Sequence, residues 1–199
     1  MRKKLLIVAL LLSFIYSLGG IYFHFFAGDE KEKVNSIDTI KGYDYTLKSS
    51  ATELMKQEFS ILKENLESTS VNKEKYAVSI AKLFIIDLYT MSNKLNKYDI
   101  GSADYVYKSA VASYKLNVTD TLYKYLEDNT NNKRKQTLPE VSSINLDEIT
   151  ESELKIDEKV YLGYKVKLSW EYVTDLEYDH EGEIIIVEDS DILYIAEKK

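Results

Sequence analysis

Tyrosine is the most over-supplied reactive residue of this chain: 17 occur among 199 positions. Tyr89, Tyr98, Tyr105, Tyr107, Tyr114, Tyr123 and Tyr125 crowd the middle of the sequence, and Tyr164, Trp170 and Tyr172 recur at even spacing later on. If Tyr89, Tyr98, Tyr105, Tyr114, Tyr164, Trp170 and Tyr172 converge, they line a cavity suited to a flat or apolar ligand. The bland alternative is that the rings fill a core while their hydroxyls reach backbone or water, and we favour it. Lys133-Arg134-Lys135 is the only dense basic run after the N-terminus. It suits an acidic partner, a wall polymer or a lipid headgroup, and equally a plain solvated loop.

Other chemistries are poorly supplied. There is no cysteine, which removes disulfides, thiolate metal ligands and a cysteine nucleophile. The two histidines, His24 and His180, are far apart, so no multi-histidine metal site is expected. Asp189 and Asp191 lack the twelve-residue loop and glycine of a dedicated calcium site. His180, in Glu177-Tyr178-Asp179-His180-Glu181, reads as a solvated side chain in a bend. We expect no metal, no cofactor and no catalytic residue. With 33 acids, 26 bases and only two arginines (Arg2 and Arg134), the chain is also a poor candidate for nucleic acid.

The elements that must position these residues begin with a membrane segment. Arg2-Lys3-Lys4 precedes Leu5 to Phe26, 22 residues without an acid or base other than His24. As a helix that run reaches ~33 Å, enough to cross the hydrocarbon core. The basic tip places residues 1–4 in the cytoplasm and the rest outside, with Tyr22 to Phe26 as an aromatic belt at the exit. Ser17 and Gly19 keep a cleaved signal peptide open as the alternative, although the apolar run continues past such a cut. Without the three basic residues of the tip, 23 bases face 33 acids, so the external part carries −10.

Residues 27–42 read as a polar stalk, and 43–199 as one external domain. Leu47, Ala51, Leu54, Met55, Leu62 and Leu66 predict a helix of about 20 residues. Asn72 caps a second, with Glu74 in its first turn and Tyr76 to Met91 forming the most buried element. Short helical pieces are expected around 100–114. A further helix, capped by Thr119 or Asp120, carries Leu122, Tyr123 and Leu126. After Pro139 the period changes to two: Val160, Leu162, Tyr164, Val166, Leu168, Trp170 and Tyr172 predict a long strand with one buried face. Val141–Ile156, Ile184–Val187 and Ile192–Ala196 supply three more. Helices first and strands afterwards predict an α+β domain, its helices on a curved antiparallel sheet of about four strands.

That order resembles the nuclear-transport-factor-2-like, cone-shaped α+β fold. Leu83-Phe84-Ile85-Ile86-Asp87-Leu88-Tyr89, followed by Asn96-Lys97-Tyr98-Asp99-Ile100-Gly101, is similar to its central-helix region. Leu138-Pro139-Glu140-Val141-Ser142-Ser143 and Ser169-Trp170-Glu171-Tyr172 resemble segments of membrane-anchored proteins from AT-rich Gram-positive bacteria, as does the excess of lysine over arginine. The plan of basic tip, one membrane helix and one external domain also resembles the inner-membrane scaffold subunit of type IV secretion and conjugation machines. Some relatives of this fold are enzymes with an acid and a tyrosine in the mouth of the cone. Asp87 with Tyr89, or Asp99 with Tyr98, are the pairs that this resemblance offers for proton transfer beside a carbonyl. The plain reading keeps Asp87 on a helix edge and Asp99 in a turn.

The expectation is a non-catalytic, single-pass envelope protein whose external domain binds another envelope protein or itself. The alternatives are a secretion-machine scaffold and a ligand-binding or enzymatic cone.

Overall fold

The computed structural model describes residues 36–156 and 158–199. The expected tip, the membrane span at 5–26 and the stalk up to residue 35 lie outside the described residues. Among the described residues no helix is long and apolar enough to cross a membrane. Ser36–Lys199 forms one compact unit.

A small antiparallel ribbon opens it: β1 (Ser36–Thr39) pairs with β2 (Thr46–Lys48). This corrects the stalk, whose last residues are a strand followed by the buried Ile40. It also shortens the first helix. Leu47 and Ala51 are buried, but on β2 and the turn after it, where Ala51 N–H donates to the Lys48 carbonyl (3.1 Å). Their helix-like spacing spans a strand and a turn. Helix α1 (Glu53–Leu66) starts at Thr52, whose Oγ1 accepts the Met55 N–H, and buries Met55, Phe59, Leu62 and Leu66.

Helix α2 (Lys73–Tyr89) begins as expected, with Asn72 Oδ1 accepting the Lys75 N–H (2.8 Å) and Glu74 in the first turn. Both its faces are apolar because it lies between α1 and the sheet. At its far end Thr90 Oγ1 accepts the Val141 N–H (3.3 Å), tying the helix to the first long strand. The expected helix at Thr119 or Asp120 is displaced. Helix α3 is Val111–Asp120, and Leu122, Tyr123 and Leu126 follow in turns. Val111, Tyr114 and Val118 supply its inner stripe. Thr119 and Asp120 are not caps at a helix start but the last residues of this one, where the hydroxyls of Thr119 and of the following Thr121 bond back to the carbonyls of Lys115 and Asn117 (2.8 and 2.7 Å).

The main sheet has the order β3 (Val141–Ile156), β4 (Lys159–Tyr172), β5 (Glu181–Asp189), β6 (Ile192–Lys198), antiparallel throughout. The domain is therefore α+β, with helices against a four-stranded antiparallel sheet. The alternation read on β4 holds from Tyr164 to Tyr172, all buried at even positions. Val160 and Leu162 break it, being 56% and 63% exposed. Residues 159–162 pair with β3 alone, whereas β5 joins only from Gly163 onward. The end of the β3–β4 hairpin thus lies beyond the β4–β5 ladder, tied to its neighbours by side chains: Tyr161 Oη bonds with Tyr107 Oη (3.0 Å), and Lys159 pairs with Asp189 (3.7 Å).

Candidate functional site

The seven aromatic candidates do not share one environment. Tyr105 is buried and stacks on Tyr45 with ring centres 5.3 Å apart. Tyr45 and Tyr76 share a hydroxyl–hydroxyl bond (2.6 Å). Tyr45 Oη also donates to the Leu193 carbonyl (2.9 Å), and Tyr76 Oη accepts the Leu193 N–H (3.2 Å). Tyr107 N–H adds a bond to the Ile195 carbonyl (2.9 Å). These tyrosines satisfy the outer edge of β6, which otherwise would present unpaired backbone to another chain. Burial pushes the Tyr76 phenol up to about 12, against the pull of its bonds with Tyr45 and the Leu193 N–H.

Tyr89, Trp170 and Tyr172 do converge. The Tyr89 ring lies 5.4 Å from that of Trp170 and 6.4 Å from that of Tyr172. Trp170 Nε1 donates to Tyr172 Oη (2.8 Å), which donates onward to the Asp179 carbonyl (2.8 Å). Tyr89 Oη donates to the Asp179 carboxylate (2.8 Å), which also receives Lys198 Nζ (3.0 Å). The Lys198 and Tyr89 bonds hold the Asp179 carboxyl below the usual range. His180 sits edge-on to Tyr172, with Nδ1 3.1 Å from the Trp170 carbonyl. That carbonyl raises its pKa, and Asp175 and Glu171 add to the effect against burial.

Beside this cluster runs a groove of about 440 Å³ between α3 and β6. Phe84, Leu88, Tyr114, Val118 and Ile195 give it apolar walls, and Tyr89 and Lys198 also line it. Tyr89 and Tyr114 are thus the two candidates that line it. Tyr164 lines a separate depression of about 360 Å³ with Leu162, Glu151, Glu153 and Glu188. Tyr98 is 69% exposed and lines none of these cavities.

Neither acid–tyrosine pair faces the groove as a working couple. Asp87 is buried in an ion pair with Lys94 and accepts the Ser102 N–H (2.5 Å). Burial alone would raise its pKa, but Lys94, Lys48 and the Ser102 N–H outweigh it and hold the carboxyl below the usual range. Ser102 takes a left-handed conformation (φ 67°) to make that bond, and its hydroxyl donates to the Phe84 carbonyl (2.6 Å). Asp99 pairs with Lys48 (2.9 Å) and accepts the Leu95 N–H (3.1 Å). Both carboxylates are spent on holding the 91–102 loop.

The basic run divides in the same way. Lys133 and Lys135 are exposed. Arg134 turns inward and donates to the carbonyls of Ser92 (2.8 Å), Lys94 (2.9 Å) and Glu127 (3.2 Å). Its guanidinium staples two loops together. Among the described residues no group of three or more acidic or histidine side chains is placed to hold a metal ion.

Sequence reasoning missed Lys94, Ser102, Asp179 and the Tyr45–Tyr76 pair. Gly101 before Ser102 was the one local hint, since a Cβ there would stand 2.3 Å from the Asp87 carbonyl oxygen. Compared with protein-family models, curated proteins and solved structures, the chain matches none.

Proposed function

We propose that this is a single-pass, membrane-anchored envelope protein whose external α+β domain is a non-catalytic module that binds another envelope protein or itself. The observation that carries the reading is the fate of Asp87. Asp87, a buried carboxylate near the aromatic wall, is paired with Lys94 and accepts the Ser102 N–H. The adjacent groove therefore offers apolar contact and a polar rim rather than a poised acid or base. The Leu5–Phe26 run supplies the anchor, with the basic tip inside and the −10 domain outside. A cone-shaped packing of helices on sheet, and a place as scaffold in a secretion machine, are the finer forms of this proposal.

In-cell photo-cross-linking through the domain, followed by identification of the adduct, tests it. A discrete protein adduct supports binding; complete absence of protein adducts overturns it. One observation favours a second reading: the groove has the volume of a small-ligand site. A compact apolar ligand co-purifying with the full chain would support that reading instead.

A further inference from the structure

We propose that the external domain self-assembles head to tail, the end of the β3–β4 hairpin of one copy docking on the lysine–tyrosine surface at the opposite end of the next. This rests on the proposed binding role and adds a second copy of the chain as a partner, at surfaces other than the groove.

The hairpin end is apolar and acidic. Val160 and Leu162 stand exposed on the face that carries Tyr164 and Val166 further along, but nothing among the described residues covers them. Their cross-strand neighbours are Lys155 and Glu153, and Glu151 stands opposite Tyr164. Between residues 147 and 162 the sequence holds six acids against two bases. Two such hairpins repel one another, which disfavours a symmetric contact.

The other end is aromatic and basic. Tyr98 and Tyr125 are exposed, the latter by 78%. Each lies under a lysine: Lys97 Nζ is 5.0 Å from the Tyr98 ring centre, and Lys124 Nζ is 5.2 Å from that of Tyr125. Asn129 N–H to the Leu95 carbonyl (2.7 Å) and Gln136 Nε2 to the Tyr125 carbonyl (3.0 Å) hold these loops in one surface. Arg134 fixes it from behind, leaving Lys133 and Lys135 outward. Residues 121–136 hold four bases against Glu127 and Asp128.

The two surfaces mark opposite ends of α2, which is ~25 Å long. At its first residue Lys73 pairs with Glu188 (2.6 Å), beside the base of the hairpin. At its last turn begins the loop that Arg134 staples. A contact between unlike ends is heterologous, so it propagates into a ring or a filament unless a partner caps it.

The absence of cysteine makes the test clean. Leu162→Cys and Tyr125→Cys are made separately and together in the full-length protein, in detergent micelles or lipid nanodiscs, and oxidised. A mixture of the two single variants should give one cross-linked dimer, the double variant a ladder, and each single variant alone no dimer. Glu153→Lys should cut the mixed cross-link at least about fivefold, and Lys124→Glu in the facing copy should restore it. Dimers of the Leu162→Cys variant alone, or no mixed product while both variants melt like the parent, overturn the proposal. If in-cell cross-linking then still captures a different envelope protein, the binding role stands and only self-assembly falls. If it captures no protein, both fall.

Discussion

Asp87 and Lys94 form an ion pair closed off from solvent, although they stand seven positions apart with a helix end between them. Two charges taken out of water together tolerate the loss of both better than the loss of one. Asp87→Asn and Lys94→Met are each expected to cost about 3–5 kcal/mol in urea unfolding. The double variant should recover much of that loss. Double-variant behaviour equal to the sum of the singles would show that the pair is not coupled.

The same carboxylate sets an acid limit. Its pKa is lowered on folding from the ordinary 3.8, so its stabilising contribution is complete well above that value. It is lost as pH falls through 3.8 toward the lower folded pKa. The stability of Asp87→Asn should therefore depend less on pH below about 4 than that of the parent. Parallel profiles for the two proteins would contradict this.

At the alkaline end the tyrosine latch on β6 should dominate. The Tyr76 phenol titrates at about 12, above its ordinary 10.0, so neutral Tyr76 stabilises the fold fully below about 10. That contribution disappears as pH rises from there toward 12. Tyr76→Phe removes the acceptor of the Leu193 N–H and should cost about 1–3 kcal/mol. Hydrogen exchange at Leu193 reports the same loss directly.

Arg134 and its neighbours separate a structural from a surface role. Arg134→Lys keeps the charge but cannot span three carbonyls on two loops, and should cost about 1–3 kcal/mol. Lys133→Ala and Lys135→Ala should stay within about 0.5 kcal/mol. Thermal melts of the three variants check this ordering.

Gly163 marks where the β4–β5 ladder ends. A Cβ there would sit 1.9 Å from the Ile186 carbonyl oxygen, so Gly163→Ala must shift β4 against β5. A loss above about 2 kcal/mol in urea unfolding is expected, and a neutral variant would contradict the register.

What the sequence made legible was local. Asn72 with Glu74 announced α2, and the even-numbered residues from Tyr164 to Tyr172 announced β4, because a cap and a two-residue period are written in adjacent positions. The β1–β2 ribbon escaped because strands of four and three residues carry too few positions for a period. Val160 and Leu162 keep the parity of the β4 pattern but not its burial, because exposure depends on which strand and helix lie alongside, and β5 pairs with β4 only from Gly163 onward. Of the aromatic candidates, Tyr89, Trp170 and Tyr172 share a cluster, whereas Tyr98, Tyr105 and Tyr164 lie elsewhere. Lys94 as partner of Asp87, and Arg134 as a staple, depend on loops folding back. No spacing encodes that.

The anchor and orientation have their own test. The chain lacks cysteine, so Ser190→Cys in the exposed turn between β5 and β6 should react with a membrane-impermeant maleimide on intact cells. Labelling only after lysis would place the domain inside and overturn the topology.

The binding role itself is tested most directly from inside the groove. A photo-reactive residue in place of Leu122, which lines it, should give a discrete protein adduct in living cells. Ser113→Trp, filling the same groove, should abolish that adduct without lowering the melting temperature. An adduct that survives the filled groove, or no protein adduct from Leu122 at all, would contradict the account.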